Sequence, residues 1–412
     1  MAVTLADVAA RARVSTATVS RVLNGNYPVA ENTRARVLRA VADLEYVVNG
    51  PASALAAATS DLVGILVNDI ADPFFGIIAS AVQSEMSTTT GQHIDSGAHP
   101  RTSDSDSRGR PSSGPALVPV GEKLAVVCNT GGSPERELMY LTLLQRQRAA
   151  AVVLTGGAVE DAGHAAAVTA ALTRLAAAGT RVVLCGRPPL GPEADAREGR
   201  AAAGTRTDLE ARIFRRAAQK AGPAPSPITV AFDNRGGAQR LTEHLISLGH
   251  QRIGYVAGPV GRTTTRHRLE GHRAALAAHD IPDPAHRTVH GAYDRAAGYD
   301  AALELLRRDP ALTAVIAAND TAALGVCAAL RDRGLRIPGD VSVAGFDDLP
   351  FSADAAPALT TVRLPLQEAG ARAGRLAMGC ETPPPGKFAT LSADLMVRES
   401  TSPPTLAPVN LD

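Results

Sequence analysis

The chain has 412 residues, 45% apolar and 20% charged, with 42 Lys and Arg against 41 Asp and Glu, a formal net charge of +1. These values exclude a strongly charged disordered chain and suit a soluble protein with two or three compact units. No basic-then-apolar leader opens MAVTLADVAARARVS, no run could span a membrane, and Cys128, Cys185, Cys327 and Cys380 form no CxxC pair; this predicts a cytoplasmic protein with buried thiols, without disulfides, metal or cofactor.

The neutral total hides a local basic excess. Residues 1–50 hold six Arg against four carboxylates. Thr4-Leu5-Ala6-Asp7 has the form of a capping box, and Leu5, Val8 and Ala9 fall on one face of a short helix. After the turn Ala12-Arg13-Val14, Ser15 is placed to cap a second helix running to Leu23, where Asn24-Gly25 stops it. A third helix, Glu31–Leu44, puts Val37, Val41 and Leu44 on one stripe.

Residues 1–46 thus read either as a helix-turn-helix or as an ordinary three-helix bundle. In the first reading the second helix enters the major groove of DNA N-terminus first. Ser15, Thr16, Thr18 and Ser20 would then bond phosphates or base edges, Ala17 would meet a thymine methyl, and Arg21 would reach guanine or phosphate.

Residues 47–60 form a small-residue linker. From Asp61 onward, strand-like runs alternate with amphipathic helices. The runs are Leu62–Val67, Leu124–Cys128, Ala151–Leu154, Arg181–Leu184, Thr229–Phe232, Arg252–Val256, Ala314–Ala317 and Val341–Phe346. The helices include Gly236–Leu248, His267–His279, Arg295–Arg308 and Thr321–Arg333. This alternation predicts an α/β core with parallel sheets, too long for one sheet and so in two subdomains. Residues 88–121 and 190–226 break the rhythm with Ser, Gly, Pro and Ala and read as mobile insertions, with a helix near Met86 ending before the first. Residues 401–412 read as a flexible tail without the heptads of a tetramer-forming coil.

The blocks TLADVAARARVSTATVSRVLN, VAENTRARVLRAVADLEY, DLVGILVNDIADPFF, CNTGGSPERE, FDNRGGA, LGHQRIGYVAG, AANDTAALG and DVSVAGFDD, in this order, resemble the LacI/GalR repressor family across nearly the whole chain outside the insertions. The resemblance implies a homodimer on palindromic double-stranded operator DNA, probed by Thr4, Ser15, Thr16, Ala17, Thr18, Ser20, Arg21 and Asn24. It also implies a hinge in which Asn49 contacts the DNA backbone and Leu55 wedges into the minor groove. A plain linker is the alternative for that hinge, since Gly50-Pro51 raises the cost of ordering it.

The same resemblance implies a periplasmic-binding-protein-like effector core over residues 61–400, closing on a sugar-like small molecule. Residues 61–190 and 364–393 would form one subdomain, 229–363 and 395–400 the other. Phe74, Phe75, Arg266, Arg268 and Asp320 become the effector contacts. Each has a structural alternative: Asp320 as a helix cap, Arg268 in a pair with Glu270, one Phe as core. Arg13 stands where the family has a small residue, Ala30 where it has a Ser cap, and Gly186 where relatives often have Asp. Leu364 and Leu366 replace more polar or aromatic residues. No HExxH, GxSxG, GxGxxG or P-loop points to an enzyme. A solute-binding protein is the rival reading, and the first fifty residues argue against it.

Overall fold

The computed structural model describes residues 3–24, 29–44, 46, 60–92, 123–189 and 226–405. The hinge residues Asn49 and Leu55 and nearly all of both insertions lie outside these.

Three helices open the chain: α1 (Leu5–Ala12), α2 (Thr16–Asn24) and α3 (Glu31–Asp43). The capping box forms as the sequence suggests, with the Thr4 side chain accepting from the Asp7 amide and Asp7 accepting from the Thr4 amide at 2.8 Å. Arg13 ends α1 in the left-handed region, φ 53° and ψ 51°. Ser15 Oγ accepts from the Thr18 amide at 3.1 Å, which starts α2. Ala30 supplies no side-chain cap to α3. Val8, Ala9, Ala12, Val19, Leu23, Val37, Ala40 and Val41 close a small core between the three helices.

The remaining elements form two parallel α/β lobes, as alternation predicts. The first lobe contains β1 (Leu62–Val67), α4 (Pro73–Gln92), β2 (Leu124–Asn129), α5 (Pro134–Arg146), β3 (Ala151–Thr155), α6 (Ala162–Ala177), β4 (Arg181–Cys185) and β5 (Ile228–Phe232). The second begins with α7 (Asn234–Ser247), β6 (Ile253–Ala257), α8 (Thr263–Ala278), β7 (Thr288–His290), α9 (Arg295–Arg308), β8 (Ala314–Ala317), α10 (Asp320–Asp332), β9 (Ser342–Ala344) and α11 (Phe351–Asp354). The chain then returns through β10 (Thr361–Arg363), α12 (Leu366–Met378), β11 (Phe388–Leu391) and β12 (Asp394–Met396).

The first sheet runs β11-β5-β4-β3-β1-β2 and the second β7-β6-β8-β9, each parallel throughout. Central strands such as β3 and β8 are buried along their length, which is why they read as continuous apolar runs rather than alternating ones. In the second lobe α9 and α10 pack at backbone contact: a Cβ on Gly298 would meet the Ala322 carbonyl at 2.1 Å, and one on Gly325 the Arg295 carbonyl at 2.1 Å. Between the lobes, β10 and β12 pair antiparallel, Val362 opposite Leu395.

Four expectations need correction. β5 pairs with β4 and β11, so residues 228–232 belong to the first lobe and the crossover follows Phe232. α4 continues to Gln92 rather than ending near Met86. Cys380 is exposed, unlike the other three cysteines, because it follows the left-handed Gly379 at the end of α12. The first part of the supposed tail is tied down: Ser402 O accepts from Ser342 Oγ at 3.1 Å, and Thr401 Oγ1 lies 3.1 Å from His244 Nε2. Residues 406–412 lie outside the described residues.

Candidate functional site

Two places on the chain present side chains for recognition. On α2, Val19 and Leu23 are buried against α1 and α3, and the 3.6-residue period carries Thr16, Ala17, Ser20 and Arg21 to the other side. Thr16, Ala17 and Arg21 are exposed, while Ser20 and Thr18 are half-buried. Ser15 is exposed but occupied as the cap, its hydroxyl also 2.9 Å from Thr18 Oγ1. Thr4 is exposed at the start of α1, and Asn24 is the last residue of α2. Arg34 and Arg36 add exposed positive charge on α3. A polar, cationic stripe on a short helix with a fixed apolar back is the form that reads base edges and phosphates.

The second place is a cleft of about 500 Å³ between the two lobes. Its first-lobe wall is made by Asn68, Asp72, Phe74, Phe75, Gly156 and Gly186, its second-lobe wall by Arg262, Arg268, Tyr293, Asn319 and Asp347. Phe74 and Phe75 meet edge to face at 5.0 Å, and Phe74 meets Phe232 at 6.1 Å. Both phenylalanines line the cleft although both are buried. Gly156 and Gly186 have positive φ, and a Cβ on Gly156 would stand 2.8 Å from the Phe75 ring. Bare backbone is therefore the condition for that ring to sit where it does.

Arg268 lies in the cleft wall but is largely committed. Its Nε donates to Asn234 Oδ1 at 2.8 Å, its Nη1 to the Ala318 carbonyl and its Nη2 to Asp347 Oδ1 at 2.8 Å. The guanidinium also lies over the Phe346 ring, 3.8 Å from its centre. Three of five N–H donors are used, which leaves two for a bound molecule. Burial pushes the Asp347 carboxyl above its usual range, with Arg268 pulling the other way.

Asp320 is a correction. It is fully buried and does not line the cleft. Its carboxylate accepts from the Leu349 amide at 2.8 Å, Ser352 Oγ at 2.7 Å and Thr361 Oγ1 at 2.5 Å. The neighbouring Asn319 takes the capping position, accepting from the Ala322 amide at 2.9 Å, and faces the cleft. Asp320 therefore clamps α10 to the hinge strand β10, and burial pushes its carboxyl up to about 6. Arg266 also lies outside the cleft. It bonds Glu160 at 2.5 Å and Glu270 at 3.1 Å, joining the lobes at the cleft mouth.

That mouth carries further ties. The Glu160 amide donates to the Gly261 carbonyl at 2.8 Å and the Thr263 amide to the Ala158 carbonyl at 3.0 Å. Thr263 Oγ1 accepts from the Ala158 amide at 2.9 Å, and Arg262 Nη2 donates to the Gly132 carbonyl.

Sequence reasoning missed the support behind the glycine wall. Buried Arg187 donates to the Gly156 carbonyl at 3.2 Å and to Glu137 Oε1 at 2.6 Å, while His164 Nε2 sits 3.0 Å from Glu137 Oε2. Burial pushes the Glu137 carboxyl up, but the Arg187 charge and both hydrogen bonds outweigh it and hold the group below its ordinary value. These residues lie 27 and 50 positions apart, and no local pattern joins them. Asn319, Tyr293 and Arg262 were also missed, although Asn319 adjoins the residue chosen. Leu364 and Leu366 are core residues outside the cleft. Among the described residues, no group of three or more His, Cys, Asp or Glu could hold a metal ion, and no helix is long and apolar enough to cross a membrane.

Comparison with known proteins follows the same division. Residues 4–49 match the family described as bacterial regulatory proteins, lacI family, and residues 242–401 match a periplasmic binding protein-like domain. The HTH-type transcriptional regulator GalR of Salmonella typhimurium is 31% identical over 404 residues, 98% of this chain and 97% of its own. MalR of Streptomyces coelicolor is 31% identical, again over 98% of this chain and 97% of its own. Among solved structures, the lac repressor dimer bound to operator and the anti-inducer ONPF superposes with a TM-score of 0.69 at 25% identity, covering 98% of this chain and all of the other. The CelR–cellobiose complex gives 0.58 at 28% identity over 97% of this chain and 99% of that one.

Proposed function

The chain belongs to the LacI family of bacterial regulatory proteins and is a DNA-binding transcriptional regulator, not an enzyme, and from that premise we propose how it works. It acts in the cytoplasm as a homodimeric repressor on a palindromic operator, and a sugar or similar small polar molecule in the interlobe cleft controls its grip. The observation that carries the DNA reading is the exposed stripe Thr16, Ala17, Ser20 and Arg21 on a helix whose back is fixed by Val19 and Leu23. One such helix spans few base pairs, so a two-fold pair on a two-fold site is the economical arrangement. Asn49 and Leu55 belong to this reading as hinge contacts, Leu55 as a minor-groove wedge.

Two relatives support the effector reading. The lac repressor was solved with operator and an anti-inducer, and CelR with cellobiose. In this chain Phe74 and Phe75 offer ring faces, and Asn319, Asn68 and the spare Arg268 donors offer hydrogen bonds. A ligand here controls DNA binding only through its different affinity for the operator-competent and released states.

The test is fluorescence anisotropy with operator recovered by genome-wide site mapping and a scrambled duplex of equal length. Operator preference that survives removal of residues 1–60 would overturn the assignment. Expected instead is a folded core without DNA affinity, and steep loss of full-length binding as salt rises.

A further inference from the structure

Resting on the reading of the cleft as a carbohydrate site, we propose that the effector is an uncharged sugar of at least disaccharide size and that the cleft rejects phosphorylated sugars. Size comes first. The cleft holds about 500 Å³ with its mouth already tied by the Glu160–Gly261 and Thr263–Ala158 backbone bonds and the Arg266–Glu160 pair. Its width is thus that of lobes in contact. A water molecule, one non-hydrogen atom, takes roughly 30 Å³ of liquid. At that generous allowance a hexose of a dozen such atoms fills at most about 360 Å³ and leaves unfilled space, whereas two linked rings fill the cleft.

The glycine wall is the origin of this room. Gly131, Gly132, Gly156, Gly157 and Gly186 all line the cleft, so the first-lobe side offers backbone and ring faces where side chains would otherwise intrude. Arg187 holds that backbone from behind through the Gly156 and Thr155 carbonyls. The wall is built, not left over.

Charge decides the second half. Among the described residues the cleft is lined by four carboxylates, Asp69, Asp72, Asp294 and Asp347, against two guanidiniums, Arg262 and Arg268. Arg268 is already joined to Asp347, and Arg262 to the Gly132 carbonyl. The balance stays negative whether or not Asp347 holds its proton. A phosphate entering this site meets no uncommitted guanidinium and several carboxylates, whereas sugar hydroxyls can donate to those same carboxylates.

The test is calorimetric titration of the full chain with cellobiose, maltose, lactose and trehalose, glucose and galactose, and glucose 6-phosphate. We expect one neutral disaccharide to bind about tenfold or more tighter than either hexose, with glucose 6-phosphate weakest. The double variant Asp69→Asn, Asp72→Asn should gain affinity for glucose 6-phosphate. If thermal unfolding shows that the double variant is not folded, the exposed Asp69→Asn alone serves. Tightest binding by a hexose or by glucose 6-phosphate overturns the proposal and leaves the carbohydrate reading standing. No gain in the variants overturns the charge argument. Binding to no member of the panel, by protein that still binds operator, overturns the carbohydrate reading and this proposal together.

Discussion

On α2, Thr16, Ala17 and Arg21 stand in solvent with only a helix beneath them, whereas in the interlobe cleft Arg268 and Asp347 are buried and bonded to each other. The two regions solve recognition with opposite electrostatics. A DNA phosphate or base edge brings strong bonds to an exposed donor, so the helix needs only to point its side chains outward. A cleft that must take a ligand out of water first satisfies its own charges, because an unpaired buried ion costs more than any single ligand contact returns. Polar residues in the cleft are thus part of the fold before they are part of the site, and substitutions in the two regions should fail in different ways.

The sharpest break of that comparison is Arg268→Ala. It leaves Asp347 buried without its cation and removes donors to Asn234 and Ala318. Breaking such a pair costs about 3–5 kcal/mol, so denaturant unfolding should show a large loss of stability before any effector assay can be read. Asp320→Ala should behave likewise through the Leu349 amide and the two hydroxyls it orphans, at about 1–3 kcal/mol for a buried donor. Wild-type stability with a selective loss of effector response would show that both act on ligand alone.

The same contrast explains what could be read from the residues. The period of Leu5, Val8, Ala9, Val19 and Leu23 located the three-helix unit and its outward stripe, since exposure follows from helix geometry alone. The parallel lobes were legible for a similar reason: buried strands such as β3 and β8 are unbroken apolar runs. Asp320 misled because sequence places it beside the cleft-facing Asn319 but cannot show Ser352 and Thr361 arriving from 32 and 41 residues away. The lobe of β5 was missed because Thr229–Phe232 looks alike in either sheet, and only its neighbours β4 and β11 decide.

Buried titration should sharpen the division, since it belongs to the core. His272 on α8 stacks on Tyr255 at 4.7 Å, and its Nδ1 lies 3.0 Å from Thr242 Oγ1. The Thr242 hydroxyl donates its one proton to the Ala238 carbonyl, so His272 Nδ1 carries the hydrogen and Nε2 is left a buried acceptor without a partner. Burial pushes this imidazole down from 6.5 to about 4. The unfolded chain therefore binds a proton that the folded chain refuses. The contribution is whole above pH 6.5 and is lost as pH falls toward 4, about 3 kcal/mol across that window. His272→Phe keeps the stack and should flatten the slope of urea midpoint against pH, leaving the smaller shares of His244 and His250, which burial also depresses. An unchanged slope would assign the pH dependence to other groups.

Arg21→Ala tests the opposite side. Its side chain is exposed, so stability should barely move while operator affinity falls by about 1–3 kcal/mol. Titration against operator and scrambled duplex separates the possible roles. A greater loss on operator assigns Arg21 to base reading. An equal loss on both, with a shallower salt dependence, assigns it to phosphate.

The smallest effect lies in the turn of the DNA unit. Arg13 closes α1 with φ 53° and ψ 51°, a conformation in which a Cβ crowds the following carbonyl. Its amide donates to the Ala10 carbonyl at 3.2 Å, and the Val14 amide donates to the Ala9 carbonyl at 3.0 Å, so the turn itself is bonded and only the side chain is costly. Glycine would relieve about 1–2 kcal/mol of strain, offset in part by the greater freedom it gives the unfolded chain. The net gain for Arg13→Gly should be about 0.5–1 kcal/mol. Hydrogen exchange of a peptide over residues 3–24 in the full chain should slow accordingly, while peptides from α8 and α10 stay unchanged. Non-specific DNA affinity should weaken slightly through the lost cation, with operator preference retained. Faster exchange in that peptide would mean that the Arg13 side chain stabilises the turn by more than its backbone strain costs.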